Sequence, residues 1–73
     1  MNTSVQTIRV TANGRTYEVP SGITVAGFVR ERGLDPRMVV VERNGEPLTP
    51  SAFLSTQLGD GDRLEVVRVV AGG

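Results

Sequence analysis

From Val5 to Pro20 apolar and polar residues alternate on either side of Asn13-Gly14. Ile8 and Val10 share one side of the first run, and Tyr17 and Val19 share one side of the second. A period of two is that of a half-buried strand. Asn-Gly between two such runs is a strong hairpin signal, because both turn positions require positive φ. Pro20-Ser21-Gly22 ends the hairpin, and the period then changes. Val25, Phe28 and Val29 stand at i, i+3 and i+4, which predicts a short amphipathic helix from Val25 to Arg32 with Arg30 and Glu31 toward water. Thr24 is placed as its N-cap, Ile23 and Phe28 as a hydrophobic staple, and Gly33 as a left-handed C-terminal cap.

Asp35-Pro36 stops any continuation of the helix, and the valine-rich run from Arg37 to Arg43 predicts a third strand leading into a second Asn-Gly turn, Asn44-Gly45. Glu46 to Thr49 reads as a short edge strand, since Pro47 and Pro50 limit its hydrogen-bond ladder. Ser51 to Leu58 carries Ala52, Phe53, Leu54 and Leu58, and predicts a helical turn or loop plugging the open end of the core, with Phe53 as a packing residue. Gly59-Asp60-Gly61-Asp62 is a polar turn. Its chemistry accounts for both aspartates more simply than a pair of catalytic carboxylates does.

The last strand is predicted from Arg63 to Val70. The order is thus strand, strand, helix, strand, short strand, helical turn, strand. If the last strand lies parallel beside the first, the chain between them is a crossover and the sheet is mixed. The expected fold class is α+β, a ubiquitin-like β-grasp with a mixed sheet of four to five strands wrapped on one main helix. A single domain over residues 1–73 is expected, with 1–4 as a frayed start and 71–73 as a flexible tail.

That last strand is apolar on both faces. Leu64, Val66 and Val70 form one set and Val67 and Val69 the other, while one helix covers only one face of a sheet. Val67 and Val69 are therefore candidate partner-docking residues.

Composition narrows the chemistry. The 73 residues include no cysteine and no histidine. Disulfide frameworks, thiolate metal sites, Ser-His-Asp and Cys-His catalysis and zinc-protease arrangements are excluded on that ground, and no resident metal or catalytic residue is expected. Eight arginines, scattered along the chain, balance eight acidic residues. Neither a basic patch nor aromatics interleaved with arginines are visible, which argues against nucleic-acid binding. No signal-peptide pattern or membrane-length apolar run occurs, so the expected location is the cytoplasm without membrane association.

The chain stops at Ala71-Gly72-Gly73, just past the last strand. With glycine at roughly 7% of residues, a terminal Gly-Gly arises by chance in about 0.5% of chains, so the pair invites a functional reading. A carboxylate on an unbranched two-glycine tip can itself be the reacting group, and residues without bulky side chains suit entry into a narrow active site.

Three segments carry a family likeness: Val41-Glu42-Arg43-Asn44-Gly45-Glu46-Pro47-Leu48-Thr49-Pro50, Leu58-Gly59-Asp60-Gly61-Asp62-Arg63-Leu64-Glu65-Val66-Val67, and Val69-Val70-Ala71-Gly72-Gly73. They resemble the ubiquitin-like sulfur carriers, and among these the ThiS family of the thiamine pathway more than MoaD, the molybdopterin carrier. The resemblance implies a co-substrate and not a catalyst. The Gly73 carboxylate would be adenylated by a ThiF-like adenylyltransferase using ATP and Mg²⁺, with Ala71 and Gly72 entering that partner's active site. Sulfur from a donor such as a cysteine desulfurase would convert it to a thiocarboxylate, and a ThiG-like thiazole synthase would take the sulfur. No cofactor bound by the chain itself is implied. The alternatives are a carrier for molybdopterin, cysteine or transfer-RNA thiolation, a ubiquitin-like modifier joined to other proteins through Gly73, and a plain interaction domain.

Overall fold

The opening hairpin pairs β1 (Thr7–Ala12) with β2 (Arg15–Pro20), setting Ile8 opposite Val19 and Val10 opposite Tyr17. Its turn requires left-handed backbone, which Asn13 (φ 51°) and Gly14 (φ 81°) adopt. The computed structural model describes residues 6–69. The expected frayed start and Gly-Gly tail lie outside those residues, as does Val70.

After the hairpin, α1 (Val25–Glu31) forms where the period changes to that of a helix. Its N-terminal N–H groups are all met, as a buried helix end requires. The Gly27 N–H donates to Thr24 Oγ1 at 3.0 Å, so Thr24 is the cap its position predicts. The Val25 N–H donates to the carbonyl of Thr56 and the Ala26 N–H to that of Phe53, at 2.9 and 3.0 Å. The loop that closes the core therefore also caps the helix. At the other end Gly33 is left-handed (φ 78°), its N–H donating to the Arg30 carbonyl at 2.9 Å.

The third strand starts later than the valine-rich pattern predicts. The Asp35 carboxylate accepts the Arg37 N–H at 2.9 Å and Pro36 presets φ, so Pro36–Met38 closes as a 3-10 turn and β3 spans only Val39–Arg43. Beyond Asn44-Gly45, β4 (Glu46–Leu48) returns along β3 for three residue pairs and forms one edge of the sheet, where Pro47 is tolerated.

Pro50–Ala52 is a second 3-10 turn, and the segment that follows buries Phe53 and Leu58. Leu54, expected to help plug the core, is instead 67% exposed. Adjacent residues of a helical turn point about 100° apart, and only the Phe53 side faces inward.

The closing strand, β5 (Arg63–Arg68), inserts at the centre of a five-stranded sheet of order β2-β1-β5-β3-β4. It is parallel to β1, with Thr11 opposite Arg63 and Ala12 opposite Leu64, and antiparallel to β3, from Arg43 opposite Leu64 to Val39 opposite Arg68. This is the predicted mixed sheet. Its inner face packs on α1, so that Val10, Val41 and Leu64 join Val25, Phe28 and Val29 in one core. Tyr17 meets Phe28 edge-on at 5.5 Å between ring centroids, and the Arg32 guanidinium lies 4.6 Å over the Tyr17 ring. No helix among the described residues is long and apolar enough to cross a membrane.

Candidate functional site

The strand that leads to Gly73 is tied at its start by the two loops on either side. On the β3 side, the Asn44 N–H donates to the Arg63 carbonyl at 2.7 Å, and the Arg63 N–H donates to Asn44 Oδ1 at 2.9 Å. On the β1 side, the Asn13 N–H donates to the Leu64 carbonyl at 3.0 Å. Both Asn-Gly turns thus hold β5 as well as reversing the chain.

Asp62, buried just before β5, joins these parts. Its Oδ2 accepts from the Gly59 N–H at 2.7 Å and from Arg43 Nε at 2.9 Å, and its Oδ1 accepts from Asn44 Nδ2 at 3.0 Å. Burial pushes its pKa upward, but the hydrogen bonds from Gly59, Asn44 and Arg43 outweigh this and hold the carboxyl below its ordinary value. Asp60 Oδ1 accepts the Arg9 N–H at 2.9 Å. Asp62 therefore closes the turn through Gly59, as the reading of Gly59-Asp60-Gly61-Asp62 as turn chemistry expects, whereas Asp60 ties the turn to β1. The hub role of Asp62 has no local sequence signature.

Replacing Asp62 with alanine should cost about 2 kcal/mol, because three donors in part-buried hydrogen bonds lose their acceptor. The acid limb should change too. A depressed native pKa gives stability that is fully present above the unfolded value of about 3.9 and is lost as pH falls through the lower native value. Urea titrations from pH 7 down to about 2 should therefore show wild type and Asp62→Ala converging as the carboxylate protonates. A gap that stays constant with pH would count against the ionised hub.

The outer face of the sheet is uncovered where β5 meets β3. Val67 is 58% exposed and Val69 46% exposed, so the two sequence-selected docking residues do lie on the face that α1 leaves open. Val40 stands directly opposite Val67 and is 50% exposed, and the Val69 N–H donates to the carbonyl of exposed Met38 at 2.8 Å. These four residues make one apolar patch. Val40 was legible in principle, since Val39-Val40-Val41 puts apolar residues on both faces of β3, as the last strand also does. Beside the patch Glu42 faces Glu65 directly across the strands, and neither carboxylate forms an ion pair among the described residues. Gly73, Gly72 and Ala71, the expected reactive terminus and tail, lie outside those residues. Among the residues described, no group of three or more acidic, histidine or cysteine side chains is arranged to hold a metal ion.

A mixed five-stranded sheet with a central parallel strand, wrapped on one helix, defines the ubiquitin-like β-grasp class. A solved designed protein based on a ubiquitin template shares the fold, with a TM-score of 0.52 and 25% identity over 92% of this chain and 95% of that one. Within the class, the ThiS family model matches residues 4–73, and the chain belongs to the ThiS family. The solved thiamine biosynthesis protein (ThiS) of Geobacter metallireducens matches with a TM-score of 0.76 and 30% identity, covering 90% of this chain and all of that one. A curated thiazole synthase of Paramagnetospirillum magneticum is 35% identical over 66 residues, which are 90% of this chain and 20% of that protein. The chain thus spans about a fifth of the length of the curated thiazole synthases it matches.

Proposed function

We propose that this protein is a sulfur carrier and not a catalyst, and that the Gly73 carboxylate is the group it contributes. The observation that carries this reading is membership of the ThiS family across residues 4–73, a match that includes the Gly-Gly segment. A carboxylate is a poor electrophile. Attack of one of its oxygens on the α-phosphorus of ATP, with Mg²⁺ on the phosphates, expels pyrophosphate and leaves an acyl adenylate whose AMP is a good leaving group. A sulfur nucleophile can then attack the acyl carbon and displace AMP on the way to a thiocarboxylate. Ala71 and Gly72 keep the approach to the acyl carbon narrow.

The activating step belongs to an adenylyltransferase that covers the Met38, Val40, Val67 and Val69 patch. Its own surface should be apolar at the centre and basic where it meets Glu42 and Glu65, because unpaired like charges facing each other disfavour any partner that does not compensate them. A cysteine desulfurase is a suitable source of sulfur. The acceptor is proposed to be a thiazole synthase: a sequence of this kind makes up about a fifth of proteins bearing that name, which supports the two acting together.

Intact-mass spectrometry after incubation with ATP, Mg²⁺, the activating enzyme, a cysteine desulfurase and cysteine should show one oxygen of this chain exchanged for sulfur, and fragmentation should place the change at Gly73. Adducts joined only through isopeptide bonds would replace this reading with that of a protein modifier.

A further inference from the structure

Asn13 is more than a turn residue. The main chain of β1 leaves the sheet at Asn13-Gly14: the register with β5 ends with Ala12 opposite Leu64, and the last backbone bond between them is the Asn13 N–H on the Leu64 carbonyl. The next place in the ladder is filled by a side chain. Val66 donates its N–H to Asn13 Oδ1 at 2.8 Å, and Asn13 Nδ2 donates to the Val66 carbonyl at 2.9 Å, across 53 positions of sequence. The carboxamide thus offers one acceptor and one donor where another peptide group of β1 would stand. Past this point β5 is held from the β3 side, by the Val40 and Val67 pairing and by the Val69 N–H on the Met38 carbonyl.

We propose that Asn13 is a positioning residue for the carrier reaction: its carboxamide clamps Val66 and so sets where β5 stops being held on two sides and the run toward Gly73 begins. The proposal rests on the carrier reading for its catalytic consequence and on geometry alone for the clamp. A terminus that must deliver one carbon atom to an activating centre loses rate when its base is loose, since small displacements of a reacting group cost up to about a hundredfold per ångström. The docking patch lies on the opposite, β3-paired side of the same strand. Loss of the clamp should therefore affect delivery of the carboxylate more than docking.

Two variants separate this role from that of a turn former. Asn13→Gly keeps a residue that accepts φ near 51° and deletes the carboxamide. Asn13→Asp keeps an acceptor for the Val66 N–H but turns a second oxygen toward the Val66 carbonyl. Amide hydrogen exchange followed by NMR on the chain alone should show Val66 exchanging about tenfold faster in Asn13→Gly, the equivalent of one net hydrogen bond, with Val10 and Val41 protected as in wild type. In Asn13→Asp the Val66 protection factor should recover as pH drops from 7 toward about 4, because protonating the introduced carboxyl restores a donor. With the activating enzyme, pyrophosphate exchange should show kcat for Asn13→Gly lowered about threefold or more and KM within about twofold of wild type.

Unchanged exchange at Val66 in Asn13→Gly would overturn the clamp, and faster exchange with unchanged kcat would overturn its positioning role. Exchange at Val66 is read without any partner. A wild-type chain that is clamped as expected but never adenylated would therefore overturn the carrier reading, and with it the positioning role, while leaving the clamp itself supported.

Discussion

Removal of Gly73 should abolish adenylation and leave the melting temperature where it was. Each extended residue carries the chain about 3.3–3.6 Å, so truncation by one withdraws the carboxylate by a whole residue. Reacting atoms must approach to roughly 3–3.5 Å, and a misplacement of 1 Å already costs up to about a hundredfold. The loss should therefore exceed the range of an ordinary pyrophosphate-exchange assay. Stability is set elsewhere: β5 is anchored from Asp62 to Val69 by its ladder, the two asparagines and the Met38 carbonyl. Calorimetry on the truncated chain should show a change within about 0.5 kcal/mol. An adenylated truncated protein would refute the assignment of Gly73. Extending the chain beyond Gly73 should have the same effect for a different reason, since the carboxylate becomes an amide, and cleavage of the extension should restore activity in full.

The second large effect is expected at the apolar patch. Val67→Asp places a charge where Val40, Val69 and Met38 offer no partner, and a partner that covers the patch must desolvate it. Hot-spot losses of this type reach 2 kcal/mol or more, about thirtyfold in Kd for the activating enzyme. The fold should suffer less. Val67 is more than half exposed, and the cost there is the difference in strand preference, at most about 1 kcal/mol. Titration calorimetry with the activating enzyme and thermal unfolding of the free chain give the two numbers. Equal losses in both would mean that Val67 is a packing residue of the domain, and a stability loss without a binding loss would remove the patch from the interface. Val69→Asp should behave in the same way.

The elements of the fold were not equally legible. The alternation in β1 and β2, the Val25, Phe28 and Val29 stripe, the Thr24 cap and the Gly33 cap all rest on residues within a few positions of one another, and each is found where its pattern places it. The start of β3 was displaced by Asp35 and Pro36, whose local hydrogen bond outweighs the strand preference of the residues after them. Leu54 was misread because hydrophobicity alone does not say which side of a single turn faces the core. The outer patch was half visible. Apolar residues on both faces of the last strand marked Val67 and Val69, but only the pairing of that strand with β3 brings Val40 and Met38 beside them.

By itself, then, the sequence determined the kinds of element, their order, and a composition without thiols or imidazoles. These follow from period, turn residues and composition, which are local or additive properties. Tertiary structure alone decided that the last strand enters the middle of the sheet, that Asp62 links Gly59, Arg43 and Asn44, and that Asn13 closes on Val66 from 53 residues away. Such contacts leave no periodic trace. An asparagine in an Asn-Gly turn reads the same whether its carboxamide faces water or completes the ladder of another strand, and only the parallel pairing of β5 beside β1 determines which it does.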